Sequence, residues 1–510
     1  MIEYKGTLLG KRVLTYSDRK KCSLDKFIKE YSKFDKIHLL RCFSDLSTEL
    51  FKAKENTLSL SDIPVFVDFV NYCIFSAIKY STGSKIEISA FELEEILKIS
   101  FPWYQHEIYF NKDNPYEYLV KTAYRQFVYQ ESKSVIARSI FIYIFLWSEK
   151  YNNLFNINNA FIKMHGISYD KILFYGLALT GLKDSYFYAS VYKNDFKSRT
   201  TIDIQDGDFD KFIKLVSMSS NDFINYEGSL QNPILKYPIL TTDFYPNDLE
   251  EPVYLILSKA CLFNKFVYGI YYDLLEANME AHGKNVFKTV FGYVFQDYIG
   301  ILLKEHFKKW NITSEINYKK DKNKFDTVDW FVQRGYNLIL IEVKQSSIYL
   351  PAKNSGDIEI MKKNISQNII KAIDQLDRSE EDILSNKYDE LNQFSKIKNI
   401  QKLIIIADPL YFGNLIVNQL FDDILVKKKT HIINISDFEA LLNFQKKHEN
   451  LFYLLEEKMT DENKYMDFTE FIYSKYGNCR TSNKFLIRQF DKFYKSWNIT
   501  SSDQELSGDL

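Results

Sequence analysis

From Ser23 to about Asn194, apolar residues recur at intervals of three and four, as in VFVDFVNYCIFSAIKY and SVIARSIFIYIFLWSEKY. That period predicts packed helices. A loop-rich stretch follows from Asp195 to Asp210, and then Pro233, Pro238, Pro246 and Pro252 cluster in a segment that reads as a short hairpin or linker. Two helical patterns come next, VYGIYYDLLEANM and NVFKTVFGYVFQDYIGILLKEHFKKW, with a break near His282 and Gly283. The period then changes to two in ITSEINYKK, TVDWFVQ and NLILIEVK, and after an intervening helix a further apolar run, KLIIIADP, appears. Helix, three strands, helix, strand is an α/β order unlike everything before it, and the chain is expected to be α+β overall. The expected units are a mainly helical N-terminal domain over 1–230, a hairpin or linker with a connecting helix over 231–283, an α/β domain over 284–435, and a helical extension over 436–510. The last dozen residues read as a frayed, acidic end.

Charge changes this picture little, because 66 basic and 67 acidic side chains nearly cancel and any basic surface must be local. Cys22, Cys42, Cys73, Cys261 and Cys479 are odd in number and lack metal or redox spacing, which suits a reducing cytoplasm. Met1–Gly10 lacks the basic start and long apolar run of a secretion signal, and no eighteen consecutive apolar residues occur, so no membrane partner is expected. The many Phe and Tyr side chains are read as core packing rather than as platforms for bases.

Candidate chemistry lies in DTVDWFVQRGYNLILIEVKQS, residues 326 to 346. An E-x-K triplet alone carries little weight, since Glu456–Lys458 and Glu462–Lys464 repeat it in helical or loop contexts. Context adds more. If the turn RGYN centres on Gly335 and Tyr336, opposed residues have numbers summing to 671, and Asp329 faces Glu342. Period two places Glu342 and Lys344 on one strand face, with Asp329 roughly 5 Å across. Two carboxylates that close repel unless a cation lies between them, and a divalent metal supplies that charge. Asp326 would pair with Gln345 on the opposite face, and a bulge could exchange it with Asp329.

These residues resemble the PD-(D/E)XK nuclease superfamily, whose pattern of an acid on one strand and acid-x-Lys on the next is met by Asp329 and Glu342-Val343-Lys344. Val328 stands where the strict pattern has proline. The resemblance covers about 284 to 425 and implies a restriction-endonuclease-like fold with a mixed central sheet. It implies a metal held by Asp329, Glu342 and the Val343 carbonyl, with catalysis by Asp329, Glu342 and Lys344. FGYVFQDYIGILL resembles the first core helix of the family, but Gln296 occupies the position where many members carry glutamate, with Asp297 beside it. ISQNIIKAIDQLDR resembles the helix after the E-x-K strand, where Gln367, Lys371 and Gln375 share a face. Gln345 and Gln375 join Gln296 as expected supporting residues.

Hard carboxylate ligands suit Mg²⁺, or Mn²⁺ in its place. Lys344 is expected to lower the pKa of the attacking water or to stabilise the pentavalent transition state. Residues 284 to 375 hold fifteen Lys or Arg against ten Asp or Glu, and Lys319, Lys320, Lys322 and Lys324, with Lys371, are the expected phosphate contacts. The expected partner is nucleic acid, DNA before RNA. By analogy with prokaryotic restriction or anti-phage effectors, the helical N-terminal domain would recognise substrate, bind a partner protein or assemble copies of the chain. The rival expectation is a nuclease-like domain that has lost catalysis and retains nucleic-acid binding or serves as an interaction protein. Other motifs fall away. GLALTGLKDS has the glycine spacing of a phosphate loop but places Leu182 where lysine is required, and the seven histidines show no metal-ligand spacing.

Overall fold

In the computed structural model the chain is described over residues 6–8, 11–13, 20–53, 57–60, 63–108, 120, 123–125, 135–188, 200–226, 233–242, 252–282, 285–320, 323–346, 348–445, 451–461, 463–477 and 483–497. Lys322, the break at Gly283 and the C-terminal end from residue 498 lie outside the described residues. The fold is α+β. Its centre is a five-stranded mixed sheet built from β1 (Asn311–Ser314), β4 (Trp330–Arg334), β5 (Asn337–Lys344), β6 (Asn399–Ile406) and β7 (Thr430–Asn434), in spatial order β7-β6-β5-β4-β1. Pairing is antiparallel from β1 through β4 to β5, and parallel from β5 through β6 to β7. Between β1 and β4 a separate hairpin projects, β2 (Asn317–Lys320) with β3 (Asn323–Asp326).

NLILIEVK is a near-continuous apolar run because β5 is central and covered on both faces. Ile339 and Ile341 enter a core with α1 (Val286–His306), whereas Leu338 and Leu340 enter a second core with Ile365, Ile369, Ile373 and Leu376. Fully burying each such side chain stabilises the fold by roughly 1.5–3 kcal/mol. On α1 the buried positions Phe287, Val290, Phe291, Val294, Phe295, Tyr298, Leu302 and Leu303 follow the helical period, and Asn285 caps its start by accepting from Lys288 N at 3.0 Å. The helix sits close to the sheet at Gly300, where a Cβ would come within 2.1 Å of the Trp330 ring. Although α1 is long and apolar enough to cross a membrane by length and composition, more than half of that stretch is buried within the protein.

The core on the α1 face also takes in Val135–Trp147 and Tyr169–Leu179 from the N-terminal half, and Phe438, Leu454 and Leu486 near the C-terminus. Arg138 fastens these parts together, pairing with the buried Glu439 at 3.1 Å while Tyr298 of α1 donates to the same carboxylate at 2.6 Å. In the proline-rich stretch, Ile239–Thr241 and Val253–Ile256 do form a hairpin, but they belong to a four-stranded sheet with Tyr186–Tyr188 and Ser217–Ser219.

Candidate active site

The Gly335–Tyr336 turn sets the geometry. Gly335 adopts a φ of 61°, the left-handed value that glycine reaches without a Cβ penalty, and Arg334 pairs with Asn337 across it. The ladder continues to Trp330 opposite Ile341, so the next step brings Asp329 opposite Glu342. Asp329 lies at a bend just before β4, and its carbonyl accepts from Glu315 N at 2.9 Å, which holds that bend against the end of β1.

Three groups fix the acid pair. Gln296 on α1 donates Nε2 to Asp329 Oδ1 at 2.8 Å, and Val343 N donates to Asp329 Oδ2 at 2.7 Å. Lys344 donates Nζ to Glu342 Oε1 at 2.6 Å, since period two puts both on the same face. Gln296 is itself anchored, because its carbonyl accepts from Trp330 Nε1 at 3.1 Å. The second Glu342 oxygen, Oε2, is buried without a hydrogen-bond partner among the described residues, in a residue only 2 % exposed.

Both carboxyls are pushed above the ordinary range. For Asp329 the cause is burial, which the Val343 N–H and the Lys344 charge oppose. For Glu342 burial is followed by repulsion from Asp329, and Lys344 again opposes. Burial and mutual repulsion thus disfavour ionising both carboxyls at once, with Lys344 the one basic group that opposes this at each of them.

The ligand set fits a hard divalent ion. Lys344 O accepts from Ala407 N at 3.0 Å and so faces β6. Successive residues of a strand turn their peptide groups to opposite edges, which directs the Val343 carbonyl toward Asp329. Among the described residues no three His, Cys, Asp or Glu side chains converge as a metal cluster. Two carboxylates and a carbonyl would leave the remaining positions to water and substrate oxygens, as Mg²⁺ prefers.

Other expected residues are placed differently. Asp326 does not oppose Gln345: it ends β3, pairs with Asn317, and accepts from Asn317 Nδ2 at 2.7 Å. The register fails there because the chain leaves β4 and enters the separate hairpin. Gln345 turns toward α1, donating to Lys288 O at 2.9 Å, and a Cβ on Gly292 would meet its Nε2 at 2.4 Å. Gln375, on α2 (Lys371–Ser385), donates to Thr327 O at 3.0 Å and so braces the approach to Asp329 without touching the acids. Asp297 points away, to Lys150 at 3.0 Å and Tyr151 at 2.7 Å. Lys320 is committed to Asp382 at 2.8 Å, whereas Lys319 and Lys324 are exposed and face each other across the hairpin, and Lys371 is exposed at the start of α2.

The structure adds two features. Glu315 is one step past the Ser314–Trp330 pair, hence beside Asp329 in register, and its carboxyl is pushed up by burial and by Asp326 and Asp329. The two-residue period of ITSEI was the available signal. At the end of β6, Asp408 pairs with the buried Lys353 and accepts from Ser346 Oγ at 3.3 Å. The place of Asp408 at a strand end is legible in KLIIIADP, whereas nothing in the sequence ties Lys353 to it.

Comparison of the chain with protein-family models, with curated proteins and with solved structures finds no match.

Proposed function

We propose that this chain is a metal-dependent nuclease that hydrolyses phosphodiester bonds, with Asp329, Glu342 and Lys344 at its centre. The observation that carries this reading is the pair of facing, desolvated carboxylates with one unpartnered oxygen, held beside a lysine two residues along the same strand. A Mg²⁺ ion, held by Asp329, Glu342 and the Val343 carbonyl, would supply Lewis acidity and charge neutralisation at the phosphate. Lys344, fixed by Glu342, turns an N–H toward the charge that develops on the phosphoryl oxygens. Gln296 and the Val343 N–H hold the Asp329 carboxylate in one orientation, so that the site is formed before substrate arrives. By the resemblance, the substrate is DNA before RNA, and the setting is prokaryotic restriction or anti-phage defence.

The experiment is incubation of labelled DNA and RNA with the full chain in Mg²⁺, in Mn²⁺ and in EDTA. Cleavage with either ion and none with EDTA is expected. Nucleic-acid binding without cleavage, and without carboxylate-dependent ion binding, would instead establish the reading of a catalytically lost domain, which Gln296 in place of a glutamate favours.

Lys319 and Lys324 carry a second expectation. Like charges directly opposed on two strands destabilise the hairpin, and a polyanion lying along it removes that cost. Changing both to alanine is expected to weaken binding uniformly across sequences and to reduce the slope of log affinity against log salt by about 2. Fluorescence anisotropy over a salt series measures it; an unchanged slope excludes the hairpin from the interface.

A further inference from the structure

In the N-terminal helical region a cavity of about 280 Å³ is lined from the helices Val67–Tyr80 and Ala90–Ile108. Its volume lies near the low end of small-molecule pockets, roughly 300–1,000 Å³, and suits a ligand of about the size of one base. Aromatic side chains supply its walls. Phe27 stands with Tyr80 edge-on at 5.9 Å and with Trp103 at 5.7 Å, and Tyr72 joins them. Lys21 Nζ lies 4.4 Å from the centre of the Trp103 ring, so a cation is already drawn to that electron-rich face.

Among the described residues the charged lining is balanced: Asp68 and Glu107 against Lys79 and Arg125. A ligand of net charge gains little from such a lining, whereas a neutral ring with a donor edge and an acceptor edge finds a partner for each. Two of these groups hold each other in place. Asp68, 5 % exposed, accepts from Tyr104 OH at 2.7 Å and lies 3.3 Å from Arg125 Nε. Arg125 is steadied from its other side by its neighbour Tyr124, whose hydroxyl donates to Pro409 O at 2.9 Å and whose ring packs on Tyr411 at 5.1 Å.

We propose that this cavity binds a purine base, guanine in preference to adenine. Guanine presents adjacent N1–H and N2–H₂ donors that a carboxylate such as Glu107 accepts together. Its O6 and N7 form the acceptor pair that arginine reads bidentately, and its face stacks on tyrosine and tryptophan. Adenine offers the opposite polarity at position 6 and lacks the paired donor edge. A soluble nucleoside and a base splayed from a strand present this same chemistry.

The test is calorimetric titration of the full chain in EDTA with guanosine, adenosine, and a thymidine pentanucleotide with and without a central guanine. Guanosine, or the guanine-bearing pentanucleotide, is expected to bind at least roughly tenfold more tightly than its guanine-free counterpart. Glu107→Gln and Trp103→Leu should each lose tenfold or more, and Glu107→Gln, at an exposed position, decides the matter if the tryptophan variant does not fold. Binding of the nucleoside alone identifies a soluble ligand, and binding of the pentanucleotide alone identifies a strand. Guanosine carries no phosphate for a nuclease centre to hold, so its binding is read separately and failure of the nuclease reading leaves this result untouched. No binding up to about 5 mM, or equal affinity for both purines with Glu107→Gln unaffected, overturns the proposal.

Discussion

Glu342→Ala and Lys344→Ala are each expected to lower the rate of cleavage at saturating substrate by at least about 10³-fold, while Asp326→Ala leaves it within about twofold. The contrast follows from geometry. Glu342 faces Asp329 and holds Lys344 at 2.6 Å, whereas Asp326 is exposed on a separate hairpin with Asn317. Lys344→Arg should recover little, because a planar guanidinium cannot occupy the position of a compact ammonium beside Glu342. Gel-resolved cleavage under single-turnover conditions, with circular dichroism on each variant, separates loss of chemistry from loss of fold. Equal rates for the parent and Glu342→Ala would remove this pair from the mechanism, and a large loss in Asp326→Ala would move the acid to the hairpin.

Gln296→Ala belongs with the same expectation on a smaller scale. It removes one of the two donors that orient Asp329, and second-ring changes at metal sites commonly cost about 10–100-fold in metal affinity or activity. The loss should be larger at low Mg²⁺ than at saturation, since an Asp329 free to rotate is a poorer ligand.

The central hairpin was legible because three local signals agree on it: an apolar run bounded by charges, a glycine at the position that needs positive φ, and a register that needs only the turn centre. From these the facing of Asp329 and Glu342 follows by counting. Where the chain departed from one continuous hairpin, counting failed. ITSEINYKK, expected as one strand, breaks at Glu315–Ile316 into β1 and β2, so residues beyond Val328 in the N-terminal direction obey another register and Asp326 loses its expected partner. β7 was missed for a different reason. THIIN is five residues long and follows three lysines, and its burial comes from tertiary packing, including the Phe468 ring against His431 at 5.7 Å. Periodicity cannot report a contact supplied by a helix more than thirty residues away. The donors to Asp329 divide the same way: Val343 N comes with the register, whereas Gln296 depends on how closely α1 approaches the sheet, which Gly300 permits.

In metal-free protein the stability difference between Glu342→Gln and the parent should grow with pH, reaching about 1–3 kcal/mol in favour of the variant at pH 8.5. Burial and Asp329 raise the Glu342 carboxyl above its unfolded value, so the native state binds that proton more tightly than the unfolded chain does. Between the two values the native state holds more protons. Stability from this group is therefore present at the acid end and is lost as pH rises through the folded value, which lies above the ordinary carboxylate range. Glutamine carries no such proton and removes the slope. Asp329 and Lys344, the charged groups facing Glu342, remain in both proteins, and other displaced carboxyls such as Asp467 and Glu470 cancel in the difference. Mg²⁺ should reverse the order, because an ion bound only by the native parent stabilises it by about 2.7 kcal/mol at a hundredfold excess over its dissociation constant, and the variant gains less. Urea unfolding at pH 5.5 and 8.5, with and without Mg²⁺, measures all four arms. If the variant is less stable at pH 8.5 and Mg²⁺ alters neither protein, Glu342 is the partner of a structural ion pair with Lys344 rather than a charge held ready for a cation.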